Sequence, residues 1–475
     1  MKKHIYSIII LVIITSCKVP QMVSKQTLQE SPQSFLLEKP SQDSMHLGKL
    51  SWKDFFQDTE LIKLIEISLQ NNYDVQMALQ NIQMAQAQVK YNKANLLPYI
   101  SVGANAGIRR FGLYTMDGAG NATTDITPGQ IVPTNLPDYF VGLQTSWEID
   151  IWKKLRSKKQ PAILRYFSSI EGKNVVITNL ITELASLYYQ LLRLENESHV
   201  IKEAIKLQEL ALEIIKLQKE TGNSNELAVK QFEAQVYSAK SLENELLQAI
   251  VQTENQINQL LARYPQKLSL QKESLYKELS ISPQTGIPSQ TLRNRPDVRQ
   301  AEFEYLASMA DLKASRAEFF PSLMITGSLG FQAFNPKFLF STPESIAYSL
   351  LGSFFAPILN RNGIKAQFEY TKAYQQQSFL NYQKTWLTAY VEVSTELQNL
   401  MNLQKTYQTK TQELVAHQRA VDISLDLFRA SRATYLEVLL TQQNLLNANL
   451  ELIALKKRQW DTQINLYKSL GGGWK

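Results

Sequence analysis

The chain of 475 residues holds one cysteine, Cys17, and four histidines. A single thiol excludes an internal disulfide. His46, His199 and His417 lie outside the leader, and neither His199 nor His417 has a histidine partner one helical turn away. No HExxH, CxxC or GxSxG motif is present, nor a GxxxxGK phosphate loop. Metalloprotease, redox-dithiol, esterase and nucleotide-hydrolase chemistries therefore have no foothold. Basic residues do not cluster with aromatics, and the net charge of +7 is modest for this length, so nucleic acid is excluded as an expected partner. The apolar run of the N-terminus, Ile5–Ile14, is about ten residues, too short to cross a bilayer as a helix, which needs roughly 20. The expectation is a protein that performs no catalysis and carries no cofactor other than a covalent lipid.

What is present begins with a leader. "MKKHIYSIIILVIITSC" has a basic start, a short apolar stretch and a small-residue end, the pattern of a secretory signal over residues 1–16. "ITSC" resembles a bacterial lipobox, which makes Cys17 the expected lipid-attachment residue and new N-terminus. Lys18 stands where an aspartate favours retention in the inner membrane, so the address points outward. Residues 17–50 are polar with scattered proline and read as extended.

Beyond this segment the chain repeats itself. "NYDVQMALQNIQMAQAQVKYNKANLLPYISVGANAG" (72–107) aligns without a gap on the stretch from residue 295 to Gly330: Asp74 on Asp297, Ala78 on Ala301, Pro98 on Pro321, Gly107 on Gly330. Each copy is a helix, over 51–97 and 296–320, that breaks at proline and passes into alternating strands. Ile100, Val102, Ala104, Ala106 and Ile108 share one face, and Ser101, Gly103, Asn105 and Gly107 the other. Residues 112–137 read as a long loop, after which Tyr139–Ile151 alternates again. The second hairpin, 321–360, repeats the pattern with Leu323, Ile325, Leu329 and Phe331 and then Tyr348, Leu350 and Phe354. Four strands of roughly ten residues suit a tilted membrane strand, and equally a soluble sandwich with one wet face. Tyr99, Tyr139, Trp147 and Trp152 are candidates for interfacial girdles.

Each hairpin (98–152 and 321–360) leads into a long helical hairpin, 153–262 and 361–469. Leu180, Leu184, Leu187, Leu191, Leu194, Ser198, Ile201, Ile205, Gln208, Leu212 and Ile215 follow a heptad seam. Leu207, Leu210, Ala211, Ile214 and Leu217 lie off it and widen the apolar face, as a helix with two partners needs. A returning seam runs Leu436, Leu439, Gln443, Leu446, Leu450, Ile453, Lys457, Trp460, Ile464, Tyr467. Gly222 and its repeat mate Ser431 mark the two turns. The link 263–295 is not repeated, and 470–475 is a tail. About 70 residues of helix reach roughly 100 Å. Four strands cannot close a barrel in lipid, so closure needs further copies of the chain: two would give eight strands, three twelve.

The segments "RPDVRQAEFEYLASMADLKASRAEFFPSLMITGSLGF", "YFVGLQTSWEIDIWKKLR", "APILNRNGIKAQFEYTKAYQ", "ATYLEVLLTQQNLLNAN" and "LYKSLGGGW" occur in the order found in the TolC/OprM family. The chain resembles its outer-membrane efflux lipoproteins, outer membrane factors of the NodT type. That resemblance implies a homotrimer sharing a twelve-stranded antiparallel transmembrane β-barrel and a twelve-helix α-barrel in the periplasm. It further implies a periplasmic adaptor (membrane fusion protein), an inner-membrane RND transporter that supplies the energy, and a place in the outer membrane of a Gram-negative cell. Gly222 and Ser431 would then be the periplasmic tips, and Leu436 matches the family's constricting leucine. Where the family often has an acidic residue and an arginine, this chain has Leu440 and Gln443, and Ala228 replaces a common aspartate. The expected gate closes on the apolar side chains of Leu436 and Leu440, unless these are ordinary seam residues. Arg109, Arg110, Glu148 and Asp150 are candidates to tune the charge of the lumen, or plain wall residues. A protein-secretion conduit of the same fold and a pore-less periplasmic scaffold are the competing readings.

Overall fold

The computed structural model describes residues 19–21, 26–28, 32, 34–35, 47–277, 288–356, 361–430 and 432–474. The leader, Cys17, His46 and Ser431 lie outside the described residues. By contact the chain divides into two units. One is built around Met84–Tyr166 and Phe303–Phe379, the other around Phe167–Glu302 and Leu380–Lys475.

α2 (Tyr73–Ala94, after α1 at Thr59–Asn71) leads across Pro98 into β1 (Tyr99–Arg109), which is followed by β2 (Leu136–Ile149). Later in the chain, α5 (Pro296–Ala317) leads into β3 (Ser322–Ala333) and β4 (Ile346–Phe355). The four strands form one antiparallel sheet in chain order, so the hairpins of the two repeats meet at β2 and β3 and leave β1 and β4 as edges. Register shows which residues share a face. Val102, Leu143, Leu329 and Tyr348 stand in one cross-strand row, and Ile100, Thr145, Gly327 and Leu350 in the next. The opposite face carries Ser101, Gln144, Ser328 and Ser349, then Gly103, Gly142, Gly330 and Ala347. The apolar face is bare in the single chain: Val102 is 79% exposed and Leu350 79%.

Residues 112–137 are not a plain loop, which corrects the expectation. They hold a short helix (Met116–Asn121) and a two-stranded sheet of Asp125–Thr127 with Gln130–Ile131. Thr115 caps the helix by accepting the Gly118 N–H at 3.1 Å. The strand turn closes because Gly129 takes φ +77° and its N–H reaches Asp125 Oδ2 at 3.0 Å. Both devices use residues whose turn chemistry is weaker on the page than a hydrophobic alternation.

Four long helices make up most of the rest. α3 (Lys154–Glu220) and α6 (Arg361–Arg429) are single helices of 67 and 69 residues, and each is answered by a 35-residue partner, α4 (Glu226–Leu260) and α7 (Tyr435–Ser469). Pro161 sits in the second turn of α3 without ending it. The heptad seam is core: Leu184, Leu191 and Ile201 are fully buried. On the returning seam Trp460 stacks on Tyr189 at 3.9 Å, and Tyr467 on Phe55 at 4.1 Å. The N-terminal segment is tied to α6, where Phe35 is buried and stacks on Tyr390 at 5.2 Å. The off-seam leucines, by contrast, have no cover: Leu207, Leu210 and Leu217 are 62%, 56% and 61% exposed.

The repeat's opening residues form an ion cluster around the buried Arg295. Arg295 meets Asp297 at 2.7 Å and Glu392 at 2.8 Å, and donates to the Ser469 carbonyl at 3.1 Å, so the end of α7 is fastened to the start of α5 and the middle of α6. Burial works against both charges, but the mutual hydrogen bonds and charge hold Asp297 below the ordinary carboxylate range and Arg295 above its own.

Candidate functional site: the helix-turn tips

The first tip is built by chain termination chemistry. α3 stops because Gly222 adopts φ +79°, where a side chain would be strained. The Gly222 N–H then reaches the Lys219 carbonyl at 3.0 Å and the Asn223 N–H reaches Gln218 at 2.8 Å, the paired bonds of a glycine C-cap. Three residues on, Asn225 begins α4 by accepting the Ala228 N–H at 2.9 Å. Lys219 and Glu226 form an ion pair across the turn.

The second tip repeats the bond pattern with other residues. The Arg432 N–H reaches Leu427 at 2.8 Å, the repeat equivalent of the Asn223–Gln218 bond. Thr434 and Glu437 form a reciprocal capping box at the start of α7. Glu437 accepts from the Thr434 backbone N–H at 2.6 Å, which holds its carboxyl below the usual range. Glu437 is the repeat mate of Ala228 and was missed by sequence reasoning, although T-x-x-E before an apolar run is a readable capping signature.

The expected gate residues divide into two groups. Leu436 and Leu440 stand off the chain's own core, 45% and 50% exposed. Leu436, expected in the returning seam, is half-exposed in the single chain, and Val438 is the buried residue of this turn. Ala228 and Gln443 face the other way. Ala228 is fully buried in a cluster with Ile215, Val229 and Phe232, against Phe428, Tyr435 and Leu439 of the second hairpin. Gln443 accepts a hydrogen bond from the Gln235 carboxamide, which links α4 to α7. The two hairpins thus pack on each other through Ala228, while Leu436, Leu440 and the exposed Leu227 point elsewhere.

Of the candidate wall charges, Arg109 pairs with Asp138 at 2.7 Å and Glu148 with Lys154. Asp150 accepts the Leu155 and Arg156 N–H groups at 2.8 and 2.9 Å, which makes it the starter of α3 rather than a charge of the wall. Arg110 is exposed. His199 is exposed and His417 lies 3.9 Å from Glu413. Among the described residues no cluster of three or more His, Cys, Asp or Glu is arranged to hold a metal ion.

A four-stranded antiparallel sheet and two long helical hairpins in tandem repeat are the elements of solved outer-membrane channels. The gonococcal outer-membrane channel MtrE in its open state superposes on 96% of this chain and 98% of its own length, with a TM-score of 0.82 at 24% identity. The family model "outer membrane efflux protein" matches residues 64–263 and 287–472, and the chain belongs to that family. It is 26% identical to the probable outer membrane lipoprotein SilC of Salmonella typhimurium over 93% of each chain. It is 27% identical to the toluene efflux pump outer membrane protein TtgI of Pseudomonas putida over 89% of this chain and 87% of the relative.

Proposed function

We propose that three copies of this efflux protein close into one passive conduit. In it, twelve strands form an outer-membrane barrel, and twelve helices (counting α2 with α4, and α5 with α7, as one column each) form the periplasmic tube. The register of the sheet is the observation that carries this. One face is mostly apolar, with Val102 and Leu350 bare in the single chain, and the other is mostly polar or small, with Phe140 among its exceptions. From Tyr139 to Ile149 the apolar band of β2 climbs about 24 Å at a tilt of about 45°, the height of an outer-membrane hydrocarbon belt. In such a medium the unpaired edges of β1 and β4 must find partners, and identical chains supply them. Two chains would make eight strands with an interior filled by side chains, whereas three leave a lumen. The exposed Leu207, Leu210, Ile214 and Leu217 then become the seam to the neighbouring subunit.

The conduit serves a tripartite pump. A periplasmic adaptor and an inner-membrane RND transporter load it, and small molecules leave through it. The names of the relatives, a toluene efflux pump among them, support small solutes over secreted proteins. Cys17 carries the lipid that holds the N-terminus at the membrane. At the tips, Leu436 and Leu440 converge from three subunits and close the pore by apolar contact, which also repels water when the opening is narrow. Expression together with the adaptor and transporter genes beside it, in a host stripped of its own efflux channels, tests the reading. Resistance to lipophilic drugs should return with the complete set and be lost without this chain. Unchanged susceptibility would overturn it.

A further inference from the structure

We propose that Phe140 is the side chain by which the barrel wall touches aromatic solutes as they leave. This rests on the conduit reading above. On the polar face, three successive rows toward the hairpin loops are Ser101, Gln144, Ser328, Ser349; Gly103, Gly142, Gly330, Ala347; and Asn105, Phe140, Gln332, while the row on their other side holds Tyr99, Ser146, Thr326 and Leu351. Phe140 is the one large apolar group in those three rows. Alternation would put a polar residue there, and the charges nearby are spent: Asp138 is held by Arg109 at 2.7 Å and by the Gln332 amide at 2.7 Å.

The ring does not project freely. A Cβ on Gly142 would lie 2.9 Å from Phe140 Cζ, so the tip of the ring leans over that glycine. The Gln144 amide leans in the same way over Gly103, with its Cδ 3.5 Å from where a Cβ would be. The result is an aromatic face beside a carboxamide on the wall of a concavity of about 620 Å³ that also takes in Asn105 and Ser328. The glycines are no site by themselves; they set the tilt of the ring. A planar, apolar-ringed solute can stack on the ring while Gln144 meets its polar substituent. Three subunits would place three such faces around the exit, where the other side chains of these three rows are polar or small.

Single-channel recording on the full-length lipidated protein tests this. Tetraphenylphosphonium is added from the side of the hairpin loops, with tetrabutylphosphonium as the ring-free cation of equal charge. The wild type should be blocked by the phenyl cation, and Phe140→Ala and Phe140→Leu should each weaken that block about tenfold. Phe140→Trp should retain it, and block by the butyl cation should be the same in all four proteins. Equal block of wild type and both aliphatic variants by tetraphenylphosphonium would overturn the proposal and leave the conduit intact. So would a Phe140→Ala trimer that only melts earlier, because that is the behaviour of a ring that merely packs on Gly142. A wild type that opens no channel at all would remove the conduit reading itself and this inference with it.

Discussion

The Gln235 amide of α4 donates to the Gln443 side-chain oxygen of α7, and this bond joins the two helical hairpins close to their tips. It lies where relatives of the TolC/OprM type often use an arginine. A neutral amide pair replaces charge there, so closure of the tips in this protein should be nearly independent of salt. Gln443→Ala leaves a half-buried amide unpaired, at a cost of about 1–3 kcal/mol. Entry of an antibiotic too large for porins should rise in that variant. The double change Gln235→Leu with Gln443→Leu removes both polar partners and should restore exclusion. Failure of the double variant to recover would show that the bond is not what keeps the hairpins together.

Leu440 is half-exposed in the single chain and, on the trimer reading, meets its counterparts at the tip. Leu440→Ser should raise the closed-state conductance in planar bilayers several-fold, and Leu436→Ser more. Val438→Ser lies on the buried face and should lower stability with little change in conductance before unfolding. A conductance unchanged by Leu440→Ser would assign Leu440 to an ordinary helix seam.

The turn at Gly222 sets the tip's geometry. Gly222→Ala must hold an alanine at φ +79° and should cost about 1 kcal/mol. Asn225→Ala removes the cap on the Ala228 N–H and should cost about 1 kcal/mol as well. Both losses should appear as faster amide exchange confined to 215–230, with the melting of the rest of the protein little changed.

Asp297 gives the protein an acid dependence. Its pKa in the folded chain is held below the ordinary value by Arg295, so the contribution to stability is present above the unfolded-state pKa. It is lost as pH falls through the lower, folded one. Stability should therefore fall as the pH drops below about 4. Asp297→Asn should be less stable at neutral pH and lose less on acidification. Parallel curves for the two proteins would contradict this role.

Much of this architecture can be read from the residues, for a physical reason. Alternation of Val102 and Gly103, or of Leu143 and Gln144, is decided by which medium each face meets, and period two survives any detail of tilt. The heptad from Leu180 to Ile215 is legible on the same ground, since one stripe must be dry. What escaped is set by contacts distant in sequence. Val438, not Leu436, is buried in the first turn of α7, while Tyr435 and Leu439 pack on the first hairpin. Asp150 looks like a wall charge in an alternating strand, yet the open N–H groups of α3 capture it. Ala228 seemed a lost aspartate; it is a small residue buried because the two hairpins meet there. The Phe140 ring needed register, since only pairing places it beside the glycines.

The central claim is that the open edges β1 and β4 are joined by identical chains around a lumen. Electron cryomicroscopy of the full-length protein in lipid nanodiscs tests it most directly. The account predicts a three-fold particle with twelve strands around a water-filled opening that continues into a tube of twelve helices. A monomer with its sheet edges bare, or a solid particle with no passage, would contradict it.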